Sequence, residues 1–203
     1  MKNCLILNGK AIELSEEQVK EIKKAIGGIS DTKLKDIPVG ETFKLADYEF
    51  IVLEHSKDTT AVILKDLLAE RVQFGNNNNF NDSNVDVECT KFATELMKII
   101  DKKNLIEHTV DLTSDDGLKD YGKVRRYVSL LTTDKYRRYV EILDKYKLEK
   151  LWWLATPYSN LKHGNASWVK CVSPCGSINS NYYYNYDIGV RPFCILNSNI
   201  FVS

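Results

Sequence analysis

No sign of charge prevails in this chain of 203 residues, where 28 Lys and Arg balance 28 Asp and Glu. A field of one sign is what steers proteins onto nucleic acid or an anionic membrane surface, so neither direct nucleic-acid binding nor a membrane partner is expected. Histidine is scarce. His55, His108 and His163 stand far apart, with no metal-ligand spacing and no nucleophile elbow, which argues against a histidine-based hydrolase. Long apolar runs are missing too. The opening Cys4-Leu5-Ile6-Leu7 stops at Asn8-Gly9, short of the roughly 7 to 15 residues of a secretory core. Five cysteines (Cys4, Cys89, Cys171, Cys175, Cys194) are an odd number and widely spread, so free thiols are expected rather than a disulfide framework.

What is present suits one domain with a small appendage, because a chain of this length with 43% hydrophobic residues can bury a good core. Residues 1–30 predict a ββα unit. Asn8-Gly9 between Cys4–Leu7 and Ala11–Leu14 is a type I′ hairpin signal, and Ser15 with Gln18 forms a capping box for a helix carrying Val19, Ile22 and Ile26. Gly27-Gly28 ends that helix, and the stretch from Gly27 to Lys35 reads as a linker to a main domain over residues 35–203. There Phe43–Leu53 and Thr59–Leu64 read as two adjacent antiparallel strands, rich in Val, Ile and Phe.

The Asn-rich stretch Gly75–Ser83 has no apolar periodicity and reads as a mobile surface loop. Ser83 or Asp86 caps a helix with Phe92, Leu96, Ile99 and Ile100 on one face. Asp115-Asp116-Gly117 marks a turn. Thr132 or Thr133 caps a second helix with Tyr136, Tyr139, Val140, Leu143 and Tyr146 on its inner side. Arg125-Arg126 and Arg137-Arg138 beside tyrosines resemble a phosphate-and-base surface. Asp134, Glu141, Asp144 and Glu149 share the stretch, however, and a mixed solvated face is the expectation.

Residues 151–203 differ in kind. They hold only Lys162, Lys170, Asp187 and Arg191 as Asp, Glu, Lys or Arg charges, and 19 of their 53 residues are Asn, Ser or Tyr. Tyr supplies rigid amphipathic contact area while Asn and Ser supply adaptable hydrogen bonds, a composition typical of binding loops. Asn and Ser are also turn formers and Tyr a strand former, so a loop-rich antiparallel sheet reaches the same composition. Ser167–Ser173, a Pro174-Cys175-Gly176 turn and Ser177–Tyr184 predict a hairpin. Gly189–Leu196 predicts a final strand that closes the sheet, with Pro192 at an edge or bulge.

The run Trp152-Trp153-Leu154-Ala155-Thr156-Pro157, the strand Trp168–Val172, the turn at Gly176 and the terminal Gly189-Val190-Arg191-Pro192 resemble a domain of unknown function common in phages and prophages of low-GC Gram-positive bacteria. Phe50–Leu53 and Leu130-Leu131 fall in the same order, so the resemblance spans roughly residues 35 to 203. That family is in turn similar to the C-type-lectin-like group of formylglycine-generating enzymes and retroelement variable proteins. Their chains end in a comparable Gly-Phe-Arg strand, where Val190 stands here. The resemblance implies an α+β fold, a C-type-lectin-like domain with short antiparallel sheets and two or three helices that holds irregular loops for display.

The resulting expectation is a non-enzymatic phage or prophage protein that binds a protein or glycan partner and carries no cofactor. Tyr158, Asn160, Asn179, Asn181, Tyr182, Tyr184, Asn185, Tyr186 and Asp187 are the candidate partner-binding residues. Trp152, Trp153, Trp168, Gly189 and Arg191 are assigned structural roles, Arg191 by satisfying carbonyls behind the loops. An alternative is an intracellular inhibitor of a host defence complex such as a CRISPR effector. Its place would be the cytoplasm of the bacterial host, or a virion after lysis. Calcium-dependent sugar binding lacks its Glu-Pro-Asn or Gln-Pro-Asp and Trp-Asn-Asp signatures. A copper-dependent oxidase is the third option, resting on Cys171 and Cys175 as a thiolate pair.

Overall fold

The structure is a computed structural model and describes residues 4–7, 10–18 and 32–203. Its architecture is α+β, mostly antiparallel sheet with few helices. At the amino end β1 (Cys4–Leu7) and β2 (Lys10–Glu13) pair antiparallel with Leu7 opposite Lys10, the register of a two-residue hairpin loop. The Ser15 N–H donates to Gln18 Oε1 at 2.9 Å and the Gln18 N–H to Ser15 Oγ at 3.2 Å, so the capping box forms. The Asn8-Gly9 turn, the face of Val19, Ile22 and Ile26, and the Gly27-Gly28 stop lie outside the described residues.

The main body begins before residue 35. Leu34 is fully buried and its N–H donates to the Ile200 carbonyl at 2.9 Å, and the N–H of the exposed Lys35 donates to the Ser198 carbonyl at 2.9 Å, so the backbone of residues 34 and 35 is bound to the main body. The expected Phe43–Leu53 strand is instead a hairpin of β3 (Thr42–Leu45) and β4 (Tyr48–His55), reversed at Ala46 with φ 52°. An alanine in the left-handed region carries no turn signature in sequence, which is why the break was not legible.

β5 (Thr59–Leu64) pairs with β4, and β13 (Phe193–Asn197) pairs with β5. On its other side β13 meets two short strands, β6 (Leu105–Ile106) and β9 (Val128–Ser129). The last strand therefore runs through the interior of the main sheet rather than along its edge. Pro192 is tolerated because it precedes the first ladder residue, and its carbonyl still accepts from the Leu64 N–H at 2.9 Å.

This sheet is covered on both faces. Phe50 and Val52 pack with Cys89, Phe92 and Leu96 of helix α1 (Asn84–Ile99), while Ile51 and Leu53 pack with Tyr136, Tyr139 and Leu143 of helix α2 (Thr133–Leu143). Alternate side chains of one strand thus enter opposite cores, and the Phe50–Leu53 run is apolar without interruption for that reason. Ser83 caps α1 through the Asp86 N–H, and Thr132 caps α2 through the Lys135 N–H. Ile99 and Val140 are exposed, contrary to the expected inner faces, because each helix buries only a narrow stripe.

β7 (His108–Asp111) and β8 (Lys123–Arg126) form a separate hairpin. His108 is buried, with Nε2 2.9 Å from the Ser129 hydroxyl and its ring edge-on to Phe193. Burial, with Lys135 adding to it, lowers its pKa from 6.5 to about 4. The unfolded chain takes up this proton near 6.5 and the folded chain only near 4, so stability falls as pH drops through that window. Melting temperatures recorded across it are expected to decline less steeply for His108→Gln than for wild type.

Arg125, Arg126, Arg137 and Arg138 are all paired, with Glu107, Asp86, Asp134 and Glu54 respectively. Arg126 is the most enclosed of them, meeting Asp86 at 2.7 Å across β8 and α1. Among the described residues no helix is long and apolar enough to cross a membrane.

Candidate aromatic binding site

A second sheet carries the Tyr- and Asn-rich residues. β10 (Trp152–Pro157), β11 (Trp168–Val172) and β12 (Ile178–Tyr182) are antiparallel in that order, and β12 lies at the open edge. β10 is anchored in the core. Trp153 is fully buried, donates Nε1–H to the Val72 carbonyl at 2.8 Å and packs edge-on to Phe74, while Trp152 is edge-on to Tyr136. Gly189 bridges this strand to the last one: the Trp153 N–H donates to its carbonyl at 3.0 Å. A Cβ at 189 would sit 2.4 Å from Leu67 Cδ1 and 3.1 Å from the Ala69 carbonyl oxygen, so any larger residue here has to displace the leucine side chain.

The expected hairpin forms with a turn at Gly176 (φ 88°), and its second strand ends at Tyr182 rather than Tyr184. From there an aromatic stack runs outward. Trp168 lies opposite Tyr182 across the ladder with ring centroids 4.0 Å apart, and Tyr182 stacks on Tyr184 at 4.9 Å and 15° between planes. Tyr183 meets Tyr184 edge-on. Tyr184 and Tyr186 are 54% and 66% exposed. Trp168, assigned a structural role, is half-buried and also lines a surface cavity.

That cavity, about 320 Å³, is lined by Tyr158, Asn165, Trp168, Asn179 and Ser180. Lys170 beside it is buried and paired with Asp115 at 3.2 Å, its ammonium lying 5.5 Å from the Tyr158 ring centroid. The asparagines hold the backbone. Asn179 Oδ1 accepts from the Ser180 N–H at 2.8 Å, and Asn181 Oδ1 accepts from the Tyr182 N–H at 2.9 Å and from Asn185 Nδ2 at 3.1 Å. Asn185 Oδ1 in turn accepts from the Asp187 N–H, and Asp187 pairs with Arg71 at 3.1 Å. The Tyr183 N–H donates to the Ser167 carbonyl, so by antiparallel alternation the N–H groups of Ser180 and Tyr182 face the open edge. Two edge donors are thereby occupied by the strand's own side chains.

Asn160 does not belong to the exposed surface. It is buried, accepting from the Lys162 N–H at 2.9 Å and donating to Asp120 at 3.0 Å, and so caps the turn Leu161–His163. The Asn-rich stretch 75–83 departs furthest from expectation. Phe74, Asn78 and Phe80 are all fully buried, and Asn78 Nδ2 donates to the carbonyls of Ser159 (2.8 Å) and Trp168 (3.0 Å) while its Oδ1 accepts from Tyr121 (2.8 Å). The segment expected to be a mobile loop is the brace beneath the site. A buried asparagine with several partners has no periodicity to reveal it, so only Phe80 amid the asparagines hints at burial.

Two polar features lie nearby. Asp116 accepts from Ser114, Ser159 (2.7 Å) and His163 (2.9 Å), and these bonds hold its carboxyl well below the usual range. Cys175 at the hairpin tip is exposed, with its thiol lowered to about 7 by hydrogen bonds first from Ser173 and then from Ser177. Cys171 is buried and its thiol is pushed up to about 12 by desolvation. One thiol in the core and one in solvent do not make the paired thiolates that a copper site requires.

The α+β architecture and the order of its strands place the chain in a class of small antiparallel-sheet domains with a side sheet held against a two-sided core. The chain belongs to the family described as Domain of unknown function (DUF6273), whose pattern matches residues 58–198. The match contains the whole aromatic surface, the Asn78 brace and Arg191. No curated protein and no solved structure matches the chain.

Proposed function

We propose that this is a non-enzymatic binding protein of phage or prophage origin, whose C-type-lectin-like scaffold presents the Trp168, Tyr182, Tyr184 and Tyr186 surface to a macromolecular partner. The single observation that carries this reading is the exposed aromatic stack. Rings of this size held at the surface of a well-packed domain are anchors for a partner, since burying them on contact contributes most of the energy of such interfaces. The asparagine bonds supply the second requirement, a loop ordered before the partner arrives, which reduces the entropy lost on binding.

The test is capture from host lysate by wild type and by the triple variant Tyr182→Ala, Tyr184→Ala, Tyr186→Ala. The variant is expected to lose the captured partner with its melting temperature nearly unchanged, because exposed rings contribute to binding rather than to folding. Equal capture by both chains would refute the proposal.

A further inference from the structure

We infer that the cavity against the outer face of Trp168 takes a neutral glycan, one sugar ring of which lies on the indole; this deepens the binding reading above and rests on it. The starting point is the arrangement of the rings. Tyr182 is flanked by Trp168 on one side and Tyr184 on the other, so the stack leaves free faces only at its ends. The Trp168 end opens into the cavity of about 320 Å³, near the lower limit of ligand pockets of roughly 300–1,000 Å³ and suited to a mono- or disaccharide.

Polar groups around that face match a hydroxyl-rich ligand. Asn165 and Asn179 each commit Oδ1 to the backbone, to the N–H of Ser167 and of Ser180 respectively. Their Nδ2 groups and the Ser180 hydroxyl have no partner among the described residues, which leaves amide donors and a hydroxyl around a flat apolar floor. A pyranose offers the complement, with apolar C–H faces above and below the ring and hydroxyl groups around its rim. Neither a strand nor a charged ligand is favoured. The outward N–H groups of Ser180 and Tyr182 are taken by Asn179 and Asn181, so an extended peptide finds two of the edge donors already occupied. Lys170 is held by Asp115, so an anion finds no unpaired cation at the cavity.

The experiment is ligand-observed saturation-transfer NMR on the full chain with chitobiose, cellobiose, lactose and maltose, each at about 10 mM, above the millimolar range of weak complexes. A poly-L-proline peptide serves as the competing aromatic-groove ligand. Transfer to at least one of the four saccharides is expected, with binding weakened at least tenfold in Trp168→Ala and partly restored in Trp168→Phe, which keeps a flat apolar ring. Saccharide binding that is unchanged in Trp168→Ala overturns the assignment of the cavity. Transfer to poly-L-proline alone, or to none of the probes, overturns the glycan inference. In that case retained capture of a lysate partner by wild type and its loss in the tyrosine variant leave the binding reading standing, whereas equal capture by both removes that reading as well.

Discussion

Arg191→Met is expected to lower folding stability by about 2–4 kcal/mol, the scale of leaving buried carbonyls without a charged donor. Arg191 is only 1% exposed, and among the described residues it has no carboxylate partner within salt-bridge distance. Its guanidinium is satisfied by carbonyls: Nε donates to Leu64 at 2.8 Å, and Nη2 donates to Lys65 at 2.7 Å and to Tyr146 at 3.3 Å, with the group 5.3 Å from the Trp152 ring centroid. One side chain therefore ties the end of β5, the turn after α2 and the start of β10 to the strand that carries the site's scaffold. Methionine fills part of the volume but leaves three carbonyls without their donor. Arg191→Lys is expected to fail nearly as badly, because a point-like ammonium cannot span acceptors that a planar fork reaches. Urea unfolding at neutral pH measures both. A lysine variant as stable as wild type would show that charge, not fork geometry, holds this junction.

Asn78→Ala is expected to cost about 2–3 kcal/mol, one buried carbonyl losing its donor at about 1–3 kcal/mol and two part-buried groups losing a bond that water partly replaces. The effect reaches the site because the Ser159 carbonyl loses its side-chain donor and the Trp168 carbonyl keeps only the bond from the Tyr158 N–H. Asn78→Asp separates donor from acceptor roles: it keeps the bond from Tyr121 and turns both Nδ2 donations into repulsion between oxygens. It is expected to be the worse of the two. For a chain of this size each kcal/mol shifts the melting temperature by about 2–4 °C, so thermal unfolding resolves the pair. If the alanine variant melts with wild type, the 75–83 segment does not brace the site.

Much of the scaffold was legible wherever a local chemical rule had one outcome. Phe50–Leu53 is apolar at every position because both faces of β4 are covered, and Ser15, Ser83 and Thr132 cap helices with the side-chain bonds their positions imply. The Gly176 turn follows from the need for positive φ. The illegible parts depend on tertiary partners. Ala46 adopts a left-handed turn with no residue type to announce it, and the asparagines at 76–79 read as solvent loop because nothing local says that Asn78 meets Ser159, Trp168 and Tyr121. Trp168 is assigned a structural role by its strand, and nothing local announces that its ladder position opposite Tyr182 also sets it beside a surface cavity. Asn160 erred the other way, an asparagine taken for a contact residue and spent on a cap.

The outermost strand closes its own hydrogen bonds: the amide oxygens at 179 and 181 occupy the N–H groups at 180 and 182. An open edge ordinarily restricts what residues can be displayed on it, since apolar side chains beside unpaired donors invite sheet-to-sheet aggregation. With the donors at 180 and 182 met from within, that restriction is eased, and apolar side chains at those two positions carry less risk of edge-to-edge association than on an open strand.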